Sequence, residues 1–491
     1  MILLWIILIP LLAGSAALVL AQRNRGLSMG IMTGALALDL LLLGIAMGGD
    51  ADANGWVAQW SANWIPPLGA RIALAADGMA LLLCVMTCGA GLVAILGLAG
   101  EEREHPGLHA FCMMSLVASL LGVFLANDML FFFFCFEAML LPSAALIAFW
   151  GHGERVHAAI TFFVFTQAGG LLLFAGIATL YAVRAAWDGT ATFDPVELVN
   201  SPMPDVLRAA VLMTFLAGFF VKLPVVPFHT WQPITYAAAP PEAAILLAAV
   251  MAKTAGFGLF RFVLPMFPAE VASIAPVALW LGVATVLYCG WTAFGQQELR
   301  RLIAYSSAGH LGFVVLAAFS GSEMAQRGAI LLMLAHGLSV TGLFVVTWIV
   351  ERATGTSRLD ELGGLWHASP MLGRAAMVFV MATLGLPGLA NFVGEFVVLA
   401  GVFPVYPVHA TIAAIAPVLS AAYALRIMQR VFFGPSHGHF AEINVRPGMS
   451  AACLLLVLAL IGMGFFPRPW LAMADIAQPV AAVTAEAGET P

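Results

Sequence analysis

Apolar stretches of about twenty residues recur along this chain from one end to the other, and each is long enough to cross a hydrocarbon layer of about 30 Å as a helix. Lipid offers no partner to an unpaired backbone N–H or C=O, so chain at that depth must be helical. Hydrophobic residues make up 62% of the 491 positions and charged residues 9%, against about 25% charged in a water-soluble domain. Water is therefore not the solvent for most of the surface. The net charge of -6 is thinly spread, with no basic patch, which argues against a nucleic-acid partner.

The apolar runs predict an all-α polytopic membrane protein of about fourteen spans. They lie near 3–21, 27–47, 74–99, 108–127, 129–149, 158–183, 206–227, 243–264, 271–293, 301–320, 326–351, 371–400, 405–432 and 449–466. The first begins MILLWIIL, without the basic residues of a secretory signal, and reads as a retained span. Twelve arginines, from Arg23, Arg25 and Arg103 to Arg446, fall in alternate loops, against six on the other side, Arg71, Arg184, Arg208, Arg261, Arg327 and Arg468. The positive-inside rule then puts both termini on the periplasmic side of a bacterial inner membrane. Little structure is expected after Pro467.

Prolines interrupt two spans at matching places, VKLPVVPFH in the seventh and LGLPGLANF in the twelfth. Five spans separate them, and an odd-numbered unit repeated once must lie inverted relative to its copy. The expected division is residues 1–107 for three N-terminal helices, 108–264 and 265–432 for two inverted five-helix repeats, each with a broken helix, and 433–491 for a loop, a last helix and a tail.

Only two lysines occur, Lys222 and Lys253, and both fall within apolar spans while the arginines lie at or near span ends. A charge at mid-membrane costs from roughly 2.5 to over 10 kcal/mol, so it faces a partner or water. Lysine also suits proton transfer, since burial can neutralise an ammonium but not a guanidinium. Glu137, set among phenylalanines in FFFFCFEAMLLP, is the expected counter-charge of Lys222. His310 and Glu395 are the corresponding groups of the second half, with Lys253 and His336 between; together they suggest a buried relay. A static ion pair is the plainer alternative. His229, Asp128 and Glu242 are possible access residues, although a carboxylate at a helix start, such as Asp77, Asp128 or Glu242, serves first as a cap.

No catalytic, cofactor-binding or metal-ligating set emerges. The six cysteines lie in apolar segments without CxxC spacing, and no glycine-rich nucleotide fingerprint follows a strand. His437 and His439 have metal-like spacing but no third ligand nearby.

FLANDMLFFFFCFEAMLLP, VKLPVVPFHTW, LRRLIAYSSAGHLGFV, LAHGLSVTGLF and ATLGLPGLANFVGEF occur in the order found in the M chains of proton-pumping NADH:quinone oxidoreductase, respiratory complex I. The chain resembles that antiporter-like family over nearly its whole length. The resemblance implies Glu137 and Lys222 as an interacting pair, Lys253 as the central lysine, Glu395 as the terminal acid, and His310 and His336 as relay groups. It also implies NADH, FMN, iron–sulfur clusters and quinone on partner subunits, and other antiporter-like chains as neighbours in the bilayer. Mrp-type cation/proton antiporters and membrane hydrogenases share these motifs, and a membrane scaffold that has lost transport is a further alternative. One departure stands out: the family's Leu-Pro-Asp-Ala-His after His229 and Trp231 is here Gln232, Pro233, Ile234, Thr235 and Tyr236, so an acid and a histidine are missing.

Overall fold

The fold is known from a computed structural model that describes residues 1–435, 443 and 445–474; His437, His439 and the tail from residue 475 lie outside them. Among the described residues twelve helices are long and apolar enough to cross a membrane. In chain order they are Ile2–Leu20, Arg25–Met47, Gly78–Gly97, Pro106–Leu125, Met129–Trp150, Arg155–Asp188, Pro241–Met266, Pro268–Gly295, Leu299–Phe319, Glu323–Thr354, Pro407–Phe433 and Pro447–Phe465. Two further spans are broken: the seventh into Asp205–Lys222 and Trp231–Ala238, the twelfth into Pro370–Leu384 and Ala390–Val402. Each of the fourteen expected spans thus has helical segments at its place among the described residues, twelve of them as full-length helices.

The breaks follow from the residues. Pro224 and Pro227 supply no N–H and Pro387 none in the second break, so the helical ladder stops before each. Gly385 ends Pro370–Leu384 with φ 82°, a left-handed conformation that costs other residues a Cβ clash. The freed groups find partners: Trp231 donates its Nε1–H to Val221 O at 2.8 Å, and Val226 N donates to Thr285 Oγ1 at 3.0 Å.

Burial separates an inner from an outer layer. The most apolar windows of the eighth, tenth and eleventh spans are 100%, 94% and 94% buried, against 33% for the first, second, thirteenth and fourteenth. The inner spans carry Lys253, His310 and His336; the outer ones expose Leu, Ile and Phe to lipid.

A hairpin was not anticipated. Strand β1 (Ala58–Ile65) pairs antiparallel with β2 (Ala70–Ala76) across a turn whose Gly69 has φ 67°. The third span therefore starts at Gly78 instead of near residue 74, because Ala70–Ala76 forms the second strand. Arg261, expected near a span end on the outer side, is buried close to the end of the eighth span.

Candidate functional site

Both lysines are buried, Lys222 at 1% and Lys253 at 0% exposure. Lys222 is the last residue of its half-helix, where the partial negative charge of unpaired carbonyls favours a cation. Its Nζ donates to Phe136 O at 2.9 Å and stands 3.5 Å from the centroid of the Phe136 ring. That carbonyl lies next to a break in the fifth span at Met139, three residues before Pro142.

The expected direct Glu137–Lys222 ion pair does not form. Neither Glu137 carboxylate oxygen has a hydrogen-bond partner, and the side chain lies instead against Gly170 of the sixth span, where a Cβ would come within 2.0 Å of Oε1. Lys222 reaches the backbone one residue away. The physical reason is local: a carbonyl and an aromatic face stand next to the ammonium, and the carboxylate is seated against Gly170.

Lys253 lies between two π-helical segments, Leu247–Met251 and Leu259–Val263. Such widened turns loosen the carbonyl ladder and recur at functional sites. Lys253 Nζ donates to Ala248 O at 2.6 Å and lies 2.8 Å from His336 Nδ1. Tyr236, which stands where the family has histidine, donates to Leu247 O at 2.9 Å. It thus occupies the carbonyl next to the one Lys253 uses. Gln232, also in the altered stretch, is fully buried with neither amide atom bonded.

From His336 the polar line continues. The His336 and His310 rings are 5.5 Å apart between centroids. His310 Nδ1 is 2.8 Å from Glu395 Oε1, and its Nε2 is 3.2 Å from the hydroxyl of Tyr423, which also meets Ser306 and Ser420. The second Glu395 oxygen faces Gly385, where a Cβ would stand 3.2 Å away, so the terminal acid is seated at the break in the twelfth span. Asn391 adds a contact to Ser339 at 3.1 Å. Lys253, His336, His310 and Glu395, scattered over 143 positions of sequence, are consecutive neighbours in space.

The possible access residues divide. Asp128 caps the fifth span, accepting from Leu130 N and Phe131 N at 3.0 Å each and from Arg71 N at 3.3 Å; burial pushes its carboxyl up to about 6. His229 is buried with Nδ1 unbonded and its ring edge-on to Tyr288. Glu242 sits in the first turn of the eighth span, but its carboxylate is fully buried between Arg103 at 3.0 Å and His109 at 2.8 Å. Sequence reasoning passed over His109, Tyr423 and Asp39, the last a fully buried acid in the second span whose oxygens have no partner. Asp39, like Glu137, is an acid inside an apolar run, and that signal could have found it. Among the described residues no group of three or more His, Cys, Asp or Glu side chains could hold a metal ion.

A family model described as NADH:quinone oxidoreductase/Mrp antiporter, transmembrane, matches residues 126–420. NADH-quinone oxidoreductase subunit M of Escherichia coli (strain K12) is 39% identical over 487 residues, covering 96% of each chain. F(420)H(2) dehydrogenase subunit M of Methanosarcina mazei is 33% identical over 476 residues, 95% of each. A chain of respiratory complex I from Thermus thermophilus with bound NADH superposes with TM-score 0.86 at 28% identity, over 96% of this chain and 98% of that one. A chain of the Mrp complex from Dietzia sp. DQ12-45-1b has TM-score 0.83 at 23% identity and shares the fold.

Proposed function

This chain belongs to the NADH:quinone oxidoreductase/Mrp antiporter family of membrane subunits, and we propose that it is the M-type proton-translocating subunit of a complex I-like assembly. It has membrane-subunit neighbours, other antiporter-like chains among them, while NADH, FMN, iron–sulfur clusters and quinone act on partner subunits. It sits in a bacterial inner membrane with both termini periplasmic, and residues 108–264 and 265–432 form inverted repeats.

The observation that supports this reading is the buried line Lys253, His336, His310 and Glu395, in which each ionisable group is the next one's neighbour. A proton on Lys253 can pass to the imidazole it already touches, and histidine changes charge near neutrality at little cost. Lys222 and Glu137 form the switch at the other end. Near each other but not in direct contact, they interact electrostatically, and a movement of about an ångström changes that energy by about 1 kcal/mol. Moving one charge against 100 mV requires about 2.3 kcal/mol, which electron transfer in partner chains would match by displacing Glu137 through several ångströms and so release a proton.

The test is proton stoichiometry in vesicles reconstituted with the whole complex. Lys222→Ala should reduce protons moved per NADH while leaving NADH oxidation measurable; an unchanged ratio would remove this chain from the pumping path. Copurified NADH-dehydrogenase chains support the complex I reading, and small antiporter chains in their place would transfer it to the Mrp type.

A further inference from the structure

The second span, Arg25–Met47, carries one acid, Asp39, near its middle. Its buried face runs through Ser28, Met32, Ala35, Leu36, Asp39 and Leu43. Leu36 fills the space beside Gly91, where a Cβ would meet its Cδ1 at 2.9 Å. That contact sets the second span against the antiparallel third and brings Asp39 towards the turn bearing Cys84 and Cys88. Asp77 lies beyond Cys84 towards the hairpin end, joined to Arg261 at 2.7 Å. Asp39 itself is fully buried, and both its oxygens lack a hydrogen-bond partner.

A bare carboxylate in such a place carries a desolvation cost of many kcal/mol, whereas the neutral acid forgoes only its hydrogen bonds to water. Retained polar groups of this kind inside a membrane mark ion or proton paths far more often than they stabilise a fold. The same helix face leads out of the core: Ser28 and Met32 line a pocket completed by Arg25, Glu101, Arg103 and His109. Seven residues separate Met32 from Asp39, roughly 10 Å along a helix, and Ala35 between them offers only a methyl group.

We infer that Asp39 is a proton-binding site of its own in the N-terminal helices, exchanging with the pocket at Arg25, Glu101, Arg103 and His109 along the buried face of the second span. It shares no residue with the line from Lys222 to Glu395 and stands whether or not that line pumps.

Infrared spectra of the reconstituted complex test it. The free-acid carbonyl region should lose one band in Asp39→Asn, and in the unaltered protein that band should shift to lower frequency when H2O is replaced by D2O. Met32→Trp, which fills the inner end of the pocket, should slow the shift severalfold. A spectrum unchanged by Asp39→Asn means an ionised group, a band that stays in place in D2O means a sealed proton, and an unaltered rate in Met32→Trp means another route; each overturns the inference. Should Asp39→Asn fail to assemble, dicyclohexylcarbodiimide on the unaltered complex decides the protonation state. The carboxylic O–H adds across one C=N bond and the acyl group migrates to nitrogen, so the Asp39 peptide gains the mass of one reagent; no adduct there would also overturn the inference.

Discussion

Lys253 Nζ and His336 Nδ1 meet at 2.8 Å in the most buried part of the molecule, one on the eighth span and one on the eleventh. Among the described residues each is the other's only side-chain hydrogen-bond partner, and Lys253 also donates to the carbonyl of Ala248. Replacing His336 by Ala leaves the lysine a single acceptor and removes the next proton carrier. Proton transfer through this chain should slow by about a hundredfold or more, the contribution of a positioned proton-transfer group, so the protons moved per NADH should fall. His336→Gln keeps an acceptor but cannot become charged, so it should restore assembly without restoring pumping. Equal pumping in Gln and wild-type proteins would show that His336 holds Lys253 in place and carries no proton.

How much of this was legible beforehand depends on the kind of signal. The fourteen spans were legible, because burial in lipid requires about twenty apolar residues at a time, and the two breaks were announced by proline. Lys222, Lys253, His310, His336 and Glu395 were singled out because ionisable residues inside apolar runs are conspicuous. Their order in space could be only partly foreseen, and the Glu137 to Lys222 contact was drawn too close: sequence fixes which spans carry the charges, not whether a carbonyl such as Phe136 O lies nearer. The π-helical segments around Lys253 leave no mark in AAILLAAVMAK. The hairpin at Ala58–Ala76 was hidden because ARIALAA reads equally well as the start of an apolar helix.

Gly170 makes room for the Glu137 carboxylate. A methyl group at that position would lie 2.0 Å from Oε1 and 2.6 Å from Cδ, so Gly170→Ala must push the acid out of its seat. The helix itself tolerates alanine well. The expected outcome is a complex that assembles normally, oxidises NADH, and shows a lower proton ratio, comparable to that of Glu137→Gln. Wild-type pumping in Gly170→Ala would mean that the position of Glu137 does not matter for coupling.

Arg261 ties the eighth span to the start of the third through Asp77 at 2.7 Å, and it also lies over the Trp56 ring at 4.6 Å, just ahead of the hairpin. Asp77 additionally accepts from Ala80 N at 2.9 Å as the cap of its helix. Arg261→Ala would take the guanidinium away from a buried carboxylate, a loss of about 3 to 5 kcal/mol. Removing both charges, as Arg261→Met with Asp77→Asn, should recover much of this, since asparagine still caps. Retention of the subunit in heated, detergent-solubilised complex is the measurement. If the double variant is lost as readily as Arg261→Ala, the pair's electrostatics are not the cause.

Asp128 gives a pH dependence whose sign can be worked out. Burial is the main influence and pushes its carboxyl up, from 3.8 to about 6, against hydrogen bonds from Phe131, Arg71 and Leu130 N–H that pull it down. The folded protein thus holds this proton more tightly than the unfolded chain does. The associated stability is complete below about pH 4 and is lost as the pH rises through about 6, amounting to roughly 3 kcal/mol at 1.36 kcal/mol per unit. Asp128→Asn keeps a capping side chain but does not titrate. Subtracting the variant's unfolding free energy from that of the wild type between pH 4 and pH 7, in one detergent, should leave a difference that declines with rising pH. A flat difference, or one that grows, would mean that Asp128 stays ionised throughout and acts only as a helix cap.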